Sequence, residues 1–319
     1  MRITLYGVRG SLPSGISANE MEGKIEQALE LFLERGYSKK EDIKTFMNDL
    51  PLHQKGTYGS STMCIEVRTE SGSVLFDSGS GIRNYGVKYH KTEKEFHIFQ
   101  THYHWDHTCG LPFFIPIYME GRILNFYSPH NSFQNGIRDL FKAPYFPVPY
   151  EFLPSTHHFH HVEKYKPLQL CGLEITPFQL DHPNEAFGYH IQEGDKRVVI
   201  CFDAEFKRMS RQDLGKDLEY YQNLDMILFD GQYTMSEVLR KIDWGHCTAH
   251  VGVDLCLREA IKKLVIVHHD PQSDDEHLYQ QEQITRQYYD RQLRTYKHEN
   301  PDISPVEIMW GYEGLVLQV

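Results

Sequence analysis

The chain has 319 residues, 40% hydrophobic and 13% aromatic, with 33 Lys and Arg against 44 Asp and Glu and a formal charge of −11. That length carries a buried core in one large or two small domains. The acidic balance argues against a protein that grips long nucleic acid, which needs a basic face. No run approaches the roughly 20 apolar residues of a membrane helix, so no membrane role is expected. The opening MRITLYGVRGS lacks the apolar region of a signal peptide, which predicts a cytoplasmic location. Six scattered cysteines (Cys64, Cys109, Cys171, Cys201, Cys247, Cys256) include no C-x-x-C pair and suit reduced thiols.

RITLYGV alternates like a half-buried strand, and Arg9-Gly10-Ser11 breaks it. A helical insert at about 14–57 follows. Ser17 and Glu20 spell a capping box, Met21, Ile25, Leu29, Phe32 and Leu33 recur at helical spacing, and Gly36 suits the stop. That stripe is expected to pack against the body of the protein. Ser38 and Glu41 form a second box before a shorter helix ending near Pro51. Strands are then predicted at TMCIEVR, SVLFD, FHIFQTH and RILNFYS, and a helix at 132–142. The aromatic-proline stretch APYFPVPYEFLP reads as a loop. LEITPFQLDH leads to a hairpin, AFGYHIQ-EGDK-RVVICFD, and then to LDMILFD, the helix GVDLCLREAIKK, the strand LVIVHH, a polar helix over 275–298 and two short strands. Without repeat or linker, one α/β domain spanning 1–319 is expected.

The sharpest signal is QTHYHWDHTCGLPFF, where His102, His104, Asp106 and His107 fall within six positions. Buried imidazoles and carboxylates are costly unless paired. At a strand end leading into a loop they could serve two ions, because both groups are ligands for zinc, iron or manganese. Further candidates also follow apolar strands: Asp181 and His182, Asp203, Asp230, and His268 with His269. This repeated placement predicts one rim of a sheet. The densest histidine run, STHHFHHV at 155–162, lacks a carboxylate and a sharp loop, so it is read as a decoy.

YGVRGSLPSG, YGSSTMCIEV, FDSGSGIR, THYHWDH, the Asp203 strand, GHCT and LVIVHHDP, in this order, resemble the metallo-β-lactamase-fold hydrolases. Within them the likeness is to the phosphodiesterase branch, which includes tRNA 3′-processing endonucleases and cyclic nucleotide phosphodiesterases. The resemblance implies an αββα sandwich of mixed sheets with outer helices. It implies two divalent ions, zinc first, with manganese or iron as alternatives. One would be held by His102, His104 and His182, the other by Asp106, His107 and His268, with Asp203 bridging. It gives Asp77 the task of fixing a ligand, and it leaves Asp230 and His269 outside the ligand set. His246 in GHCT matches a histidine that contacts the scissile phosphate and protonates the leaving oxygen. Cys247 replaces the usual serine, and YGSST replaces the commoner Gly-Gly-Asn-Thr.

The chemistry implied is hydrolysis of a small phosphodiester, with Asp106 orienting the nucleophile and His246 donating a proton. A 3′,5′-cyclic nucleotide is the favoured substrate and a homodimer the candidate assembly. Folded RNA is disfavoured. The tRNA-processing relatives carry an arm between the positions matching His182 and Asp203, and only 203 − 182 = 21 positions separate them here. Aromatics of the loop 141–153 could instead stack a base. The alternatives are an acyl hydrolase acting on a lactone or thioester, a non-catalytic nucleotide-binding sensor, and an oxygen-reducing di-iron protein.

Overall fold

A computed structural model describes residues 1–208 and 210–319. Its strands are β1 (Arg2–Gly7), β2 (Cys64–Thr69), β3 (Gly72–Phe76), β4 (Glu95–Phe99), β5 (Ile123–Ser128), β6 (Thr156–His161) and β7 (Leu168–Leu170). The second half of the chain adds β8 (Leu173–Gln179), β9 (Phe187–Glu193), β10 (Lys196–Cys201), β11 (Met226–Asp230), β12 (Lys263–Val267), β13 (Glu307–Trp310) and β14 (Val316–Gln318). They form two seven-stranded sheets, in the orders β14-β1-β2-β3-β4-β5-β6 and β13-β12-β11-β10-β9-β8-β7. Each sheet mixes parallel and antiparallel pairs.

Strand runs such as LVIV are apolar at every position because both faces are covered. Val265 and Val267 point between the sheets, where they meet Ile3, Leu5, Phe76 and Phe99. Leu264 and Ile266 point outward beneath Val253 and Leu257. The first sheet is covered likewise, with Leu75, Ile98 and Phe126 packed against Ile82, Tyr85 and Phe114. The helices are α1 (Ala18–Glu34), α2 (Asp42–Asp49), α3 (Leu52–Lys55), α4 (Ile82–Tyr89), α5 (Trp105–Thr108), α6 (Phe133–Asp139), α7 (Arg211–Leu214), α8 (Met235–Val238), α9 (Ala249–Glu259) and α10 (Asp275–Glu299). The result is the expected αββα sandwich. Among the described residues no helix is long and apolar enough to cross a membrane.

Four local expectations need correction. The first capping box forms at Ser17 and Glu20. The second does not: α2 starts from Glu41 with no side-chain cap, and Asp42 accepts the Lys39 N–H instead. The apolar stripe of α1 does not pack as expected. No α1 residue is buried, and exposure rises from 44% at Met21 to 69% at Leu33. The eight-residue α2 accounts for this, because it brings Phe46 to Phe32 and stops there. The helix read from GVDLCLREAIKK begins earlier, at Ala249, and ends in a left-handed Ala260. Finally, His102 does not end a strand. β4 stops at Phe99, and the residues after His104 wind into the single turn α5.

Candidate metal centre

In the first sheet β1, β3 and β4 run the same way, as do β8, β10, β11 and β12 in the second. Their C-terminal ends therefore share one rim. Gly10 and Ser11 follow β1, Asp77 follows β3, and the His102–His107 segment follows β4. From the second sheet come His182 after β8, Asp203 after β10, Asp230 at the end of β11 and His268 after β12. The strand-then-ligand pattern in the sequence is this rim.

Two groups of ligand atoms form there, His102, His104, His182 and Asp203 in one and Asp106, His107, Asp203 and His268 in the other. Asp203 belongs to both. In the second group the Nε2 atoms of His107 and His268 are 3.3 Å apart. Asp106 Oδ2 lies 3.2 Å from the first of these and 3.1 Å from the second, and Asp203 Oδ2 lies 2.9 and 3.2 Å away. Ligand atoms about 2.0–2.2 Å from a tetrahedral ion are roughly 3.3 Å from one another. The edges of this group have that length, so a divalent ion fits it.

The first group is wider. His102 Nε2 is 3.8 Å from Asp203 Oδ1, and the rings of His102, His104 and His182 have centroids 4.4–5.0 Å apart. His102 Nε2, His182 Nε2 and both Asp203 oxygens are buried and make no hydrogen bond. Each such atom costs about 1–3 kcal/mol if left so. A cation in the first group would satisfy His102 Nε2, His182 Nε2 and Asp203 Oδ1, while Asp203 Oδ2 faces the second group.

The far sides of the His107, His104 and His182 rings are held. Asp77 accepts from His107 Nδ1 at 2.7 Å and is itself fixed by the Thr101 N–H and hydroxyl. His104 Nε2 meets Asn184 Oδ1 at 2.9 Å, which leaves Nδ1 as its ligand atom. The Asn184 carbonyl takes His182 Nδ1 at 2.8 Å. Such outer contacts set the tautomer and the aim of ligating imidazoles. Two glycines make room for the rings. A Cβ at Gly10 would come within 2.3 Å of His268 Nδ1, and one at Gly245 within 2.2 Å of the His182 ring.

The electrostatics agree with a cationic occupant. Burial, together with the neighbouring His107, lowers His102 well below the ordinary imidazole range, so its ring is neutral and able to ligate. Burial alone would lower His107 and His268 too. Asp203 and its neighbours outweigh burial there, raising His107 strongly and His268 to about 9. Despite burial, the facing histidines hold Asp106 and Asp203 well below the usual carboxylate range. The centre is thus a concentration of negative charge that only protons or a metal can balance. Ser11, Asp77, Asp203 and His268 all have left-handed backbone, with φ of 59, 62, 50 and 63°. Each costs on the order of 1 kcal/mol, strain of the kind found at functional sites.

All seven sequence-predicted ligands, His102, His104, Asp106, His107, His182, Asp203 and His268, lie in the two groups. His246 joins them. Its Nδ1 is 3.0 Å from Asp230 Oδ2, and its ring stacks on His268 at 4.9 Å. Asp230, His246 and His268 form a third possible ligand group. His268 turns its Nε2 to Asp106 and Asp203, at 3.1 and 3.2 Å, while its Nδ1 is 4.0 Å from Asp230, so this third group is the poorer one. His269 points away and donates through Nε2 to the Gly311 carbonyl; burial lowers it to about 3. Asp181 is taken by Arg208.

Sequence reasoning missed Ser11, whose N–H donates to Asp106 Oδ2 at 2.7 Å, and Asn184. A polar residue just past a strand end was the available signal for Ser11. Asn184 had none.

Residues 73–269, more than half of the chain, match the model of the beta-lactamase superfamily domain. The chain is 30% identical over 145 residues to ribonuclease Z of Pyrococcus abyssi, covering 44% of this chain and 45% of that protein. It is 21% identical over 267 residues to ribonuclease Z of Picrophilus torridus, covering 69% and 84%. The chain therefore spans less than half the length of the Pyrococcus relative. Among solved structures, the short form of human tRNase Z superposes with a TM-score of 0.60 at 14% identity, covering 100% and 99% of the two chains. Yeast PDE1 gives 0.58 at 12%, also covering 100% and 99%. A diphosphatase of the PhnP family gives 0.59 at 16%, covering 100% and 97%. At such identity these structures speak to the fold alone. With the family match over both ligand groups, the chain belongs to the beta-lactamase superfamily.

Proposed function

We propose that this protein is a metal-dependent hydrolase of a small phosphodiester, with two divalent ions, zinc first, as its cofactors. His102, His104 and His182 would hold one ion, Asp106, His107 and His268 the other, and Asp203 would bridge. When bound, the ions supply Lewis acidity toward a phosphoryl oxygen and lower the pKa of a water molecule. Asp106 has one carboxylate oxygen fixed by the Ser11 N–H and can orient the attacking oxygen with the other. The observation that carries the diester reading is the His246–Asp230 pair beside the ligand groups. Asp230 holds His246 Nδ1, so Nε2 on the opposite side of the ring is free to pass a proton to a leaving alkoxide. A thioester expels a thiolate and would need that proton less. A lactone expels an alkoxide as a diester does, so acyl hydrolysis is the second reading, placed behind by the likeness of His246 and its GHCT segment to the phosphodiesterase branch.

Substrate size follows from the chain between His182 and Asp203. Those positions form the β9–β10 hairpin inside the second sheet, leaving no projecting arm to grip a folded RNA. Charge of −11 also disfavours a polyanion. A 3′,5′-cyclic nucleotide is the favoured member of the class, cytoplasm the expected site of action, and a homodimer the candidate assembly.

The deciding experiment is metal analysis of protein purified without chelator, followed by turnover of bis-p-nitrophenyl phosphate, cyclic nucleotides, lactones, thioesters and precursor tRNA. Two equivalents of metal and preference for a small diester are expected. Faster turnover of precursor tRNA than of every small diester would overturn the size argument. Preference for an acyl substrate would overturn the reaction.

A further inference from the structure

Beside the metal centre lies a cavity of about 300 Å³, lined mainly by Leu12, Pro13, Arg83, Trp105, Asp106 and Phe113. Asp106 belongs to both, so a group bound at the ligand clusters has its substituent within reach of this cavity. The volume is at the small end of ligand sites and suits one ring system rather than a whole substrate.

Trp105 is placed there by the turn that makes the metal site. Successive residues of a helix point about 100° apart. With Asp106 and His107 of α5 turned inward, Trp105 faces out, 81% exposed between two ligands. Neither ring nor cation stacks on it among the described residues. Phe113, 61% exposed, is the second aromatic wall. It is propped edge-on by Phe146 at 5.8 Å, and Phe146 rests edge-on against buried Phe141 at 5.5 Å. The aromatic-proline loop thus serves as a backing for Phe113. Among the described residues the Arg83 guanidinium makes no ion pair, and its one hydrogen bond runs to the adjacent Asn84 at 3.3 Å. An apolar slot with an unstacked indole, a fixed phenyl and a free guanidinium fits a flat ring that carries acceptors on its edge.

Building on the diester reading, we propose that this cavity seats a nucleobase of the substrate, stacked on Trp105 with its acceptor edge toward Arg83. Trp105, Phe113 and Arg83 are then specificity determinants, and the substrate class narrows to nucleotide phosphodiesters.

The test compares two monophosphates that differ only in the base, guanosine 5′-monophosphate and ribose 5-phosphate, binding to the metal-loaded protein by titration calorimetry. Base–aromatic stacking is worth about 1–3 kcal/mol, so the nucleotide should bind at least about fivefold more tightly. Trp105→Ala should bring that ratio to within about twofold, Trp105→Phe should keep most of it, and ribose 5-phosphate should bind all three proteins alike. Equal affinity of the two ligands in the native protein, or an undiminished ratio in Trp105→Ala, would overturn the pocket, as would failure of both ligands to bind. A base-dependent ratio in a protein that hydrolyses no diester would discard the reaction and leave the pocket standing.

Discussion

The chain has two histidine-rich stretches of similar density, and they do different things. His102, His104 and His107 come from a strand end and one turn of helix, and their rings converge with Asp203. His157, His158, His160 and His161 lie on β6, an edge strand, where successive side chains point to opposite faces. Each of three finds its own neutral partner: His157 the hydroxyls of Ser155 and Tyr150, His160 the Asn125 amide oxygen, His161 the Pro129 carbonyl. His160 also stacks on Tyr127 at 4.6 Å. Residue type does not make a metal site. Backbone that turns several rings onto one carboxylate does.

The strongest way to break this contrast is Asp203→Ala. Since Asp203 faces both groups, the variant should lose bound metal and at least about a thousandfold in kcat/KM, read by metal analysis and diester hydrolysis. Metal retained at two equivalents would show that the groups do not depend on their shared carboxylate. His246→Ala comes next. It should keep its metal and slow alkoxide-leaving diesters about a hundredfold, with a smaller loss for p-nitrophenolate leaving groups. Equal slowing of both would leave positioning of the phosphate, rather than proton donation, as its task.

Asp77→Asn probes the support behind the ring rather than the ligand. Loss of the carboxylate partner of His107 should weaken metal binding about 10- to 100-fold in competition with a chelator, while the fold persists by circular dichroism. Unchanged affinity would mean that packing alone aims His107. The smallest effects belong to the controls. His160→Ala and His269→Ala should each retain full metal content. Loss of metal from the first would make the β6 run part of the site, and loss from the second would mean that His269 also acts there.

Much of this was legible because the physics is local. Runs such as LVIV and MILF name strands covered on both faces, and a polar residue straight after each names the rim. What could not be read depends on distant partners. β6 has no apolar alternation to announce it: three of its histidines pair with Ser155, Tyr150, Asn125 and Pro129, while Phe159 packs against the core. Asn184 acts only because folding sets it between His104 and His182, which lie 78 positions apart (182 − 104). The apolar stripe of α1 has helical spacing whether or not a body lies beneath it. Spacing reports a helix and not its cover.

The rim has one more consequence. Of each ligand group, two members hang from the first sheet and two from the second: His102 and His104 with His182 and Asp203, then Asp106 and His107 with Asp203 and His268. An ion in either group would therefore be a cross-link between the two halves of the sandwich, joining segments 78 (182 − 104) to 162 (268 − 106) positions apart in the chain, as a disulfide would, but reversibly. It would tie the halves together beside four residues in left-handed backbone, Ser11, Asp77, Asp203 and His268. Metal binding would then bear on more than catalysis: it would strengthen closure of the two sheets along this edge, so the loaded chain should resist proteolysis longer than the unloaded one.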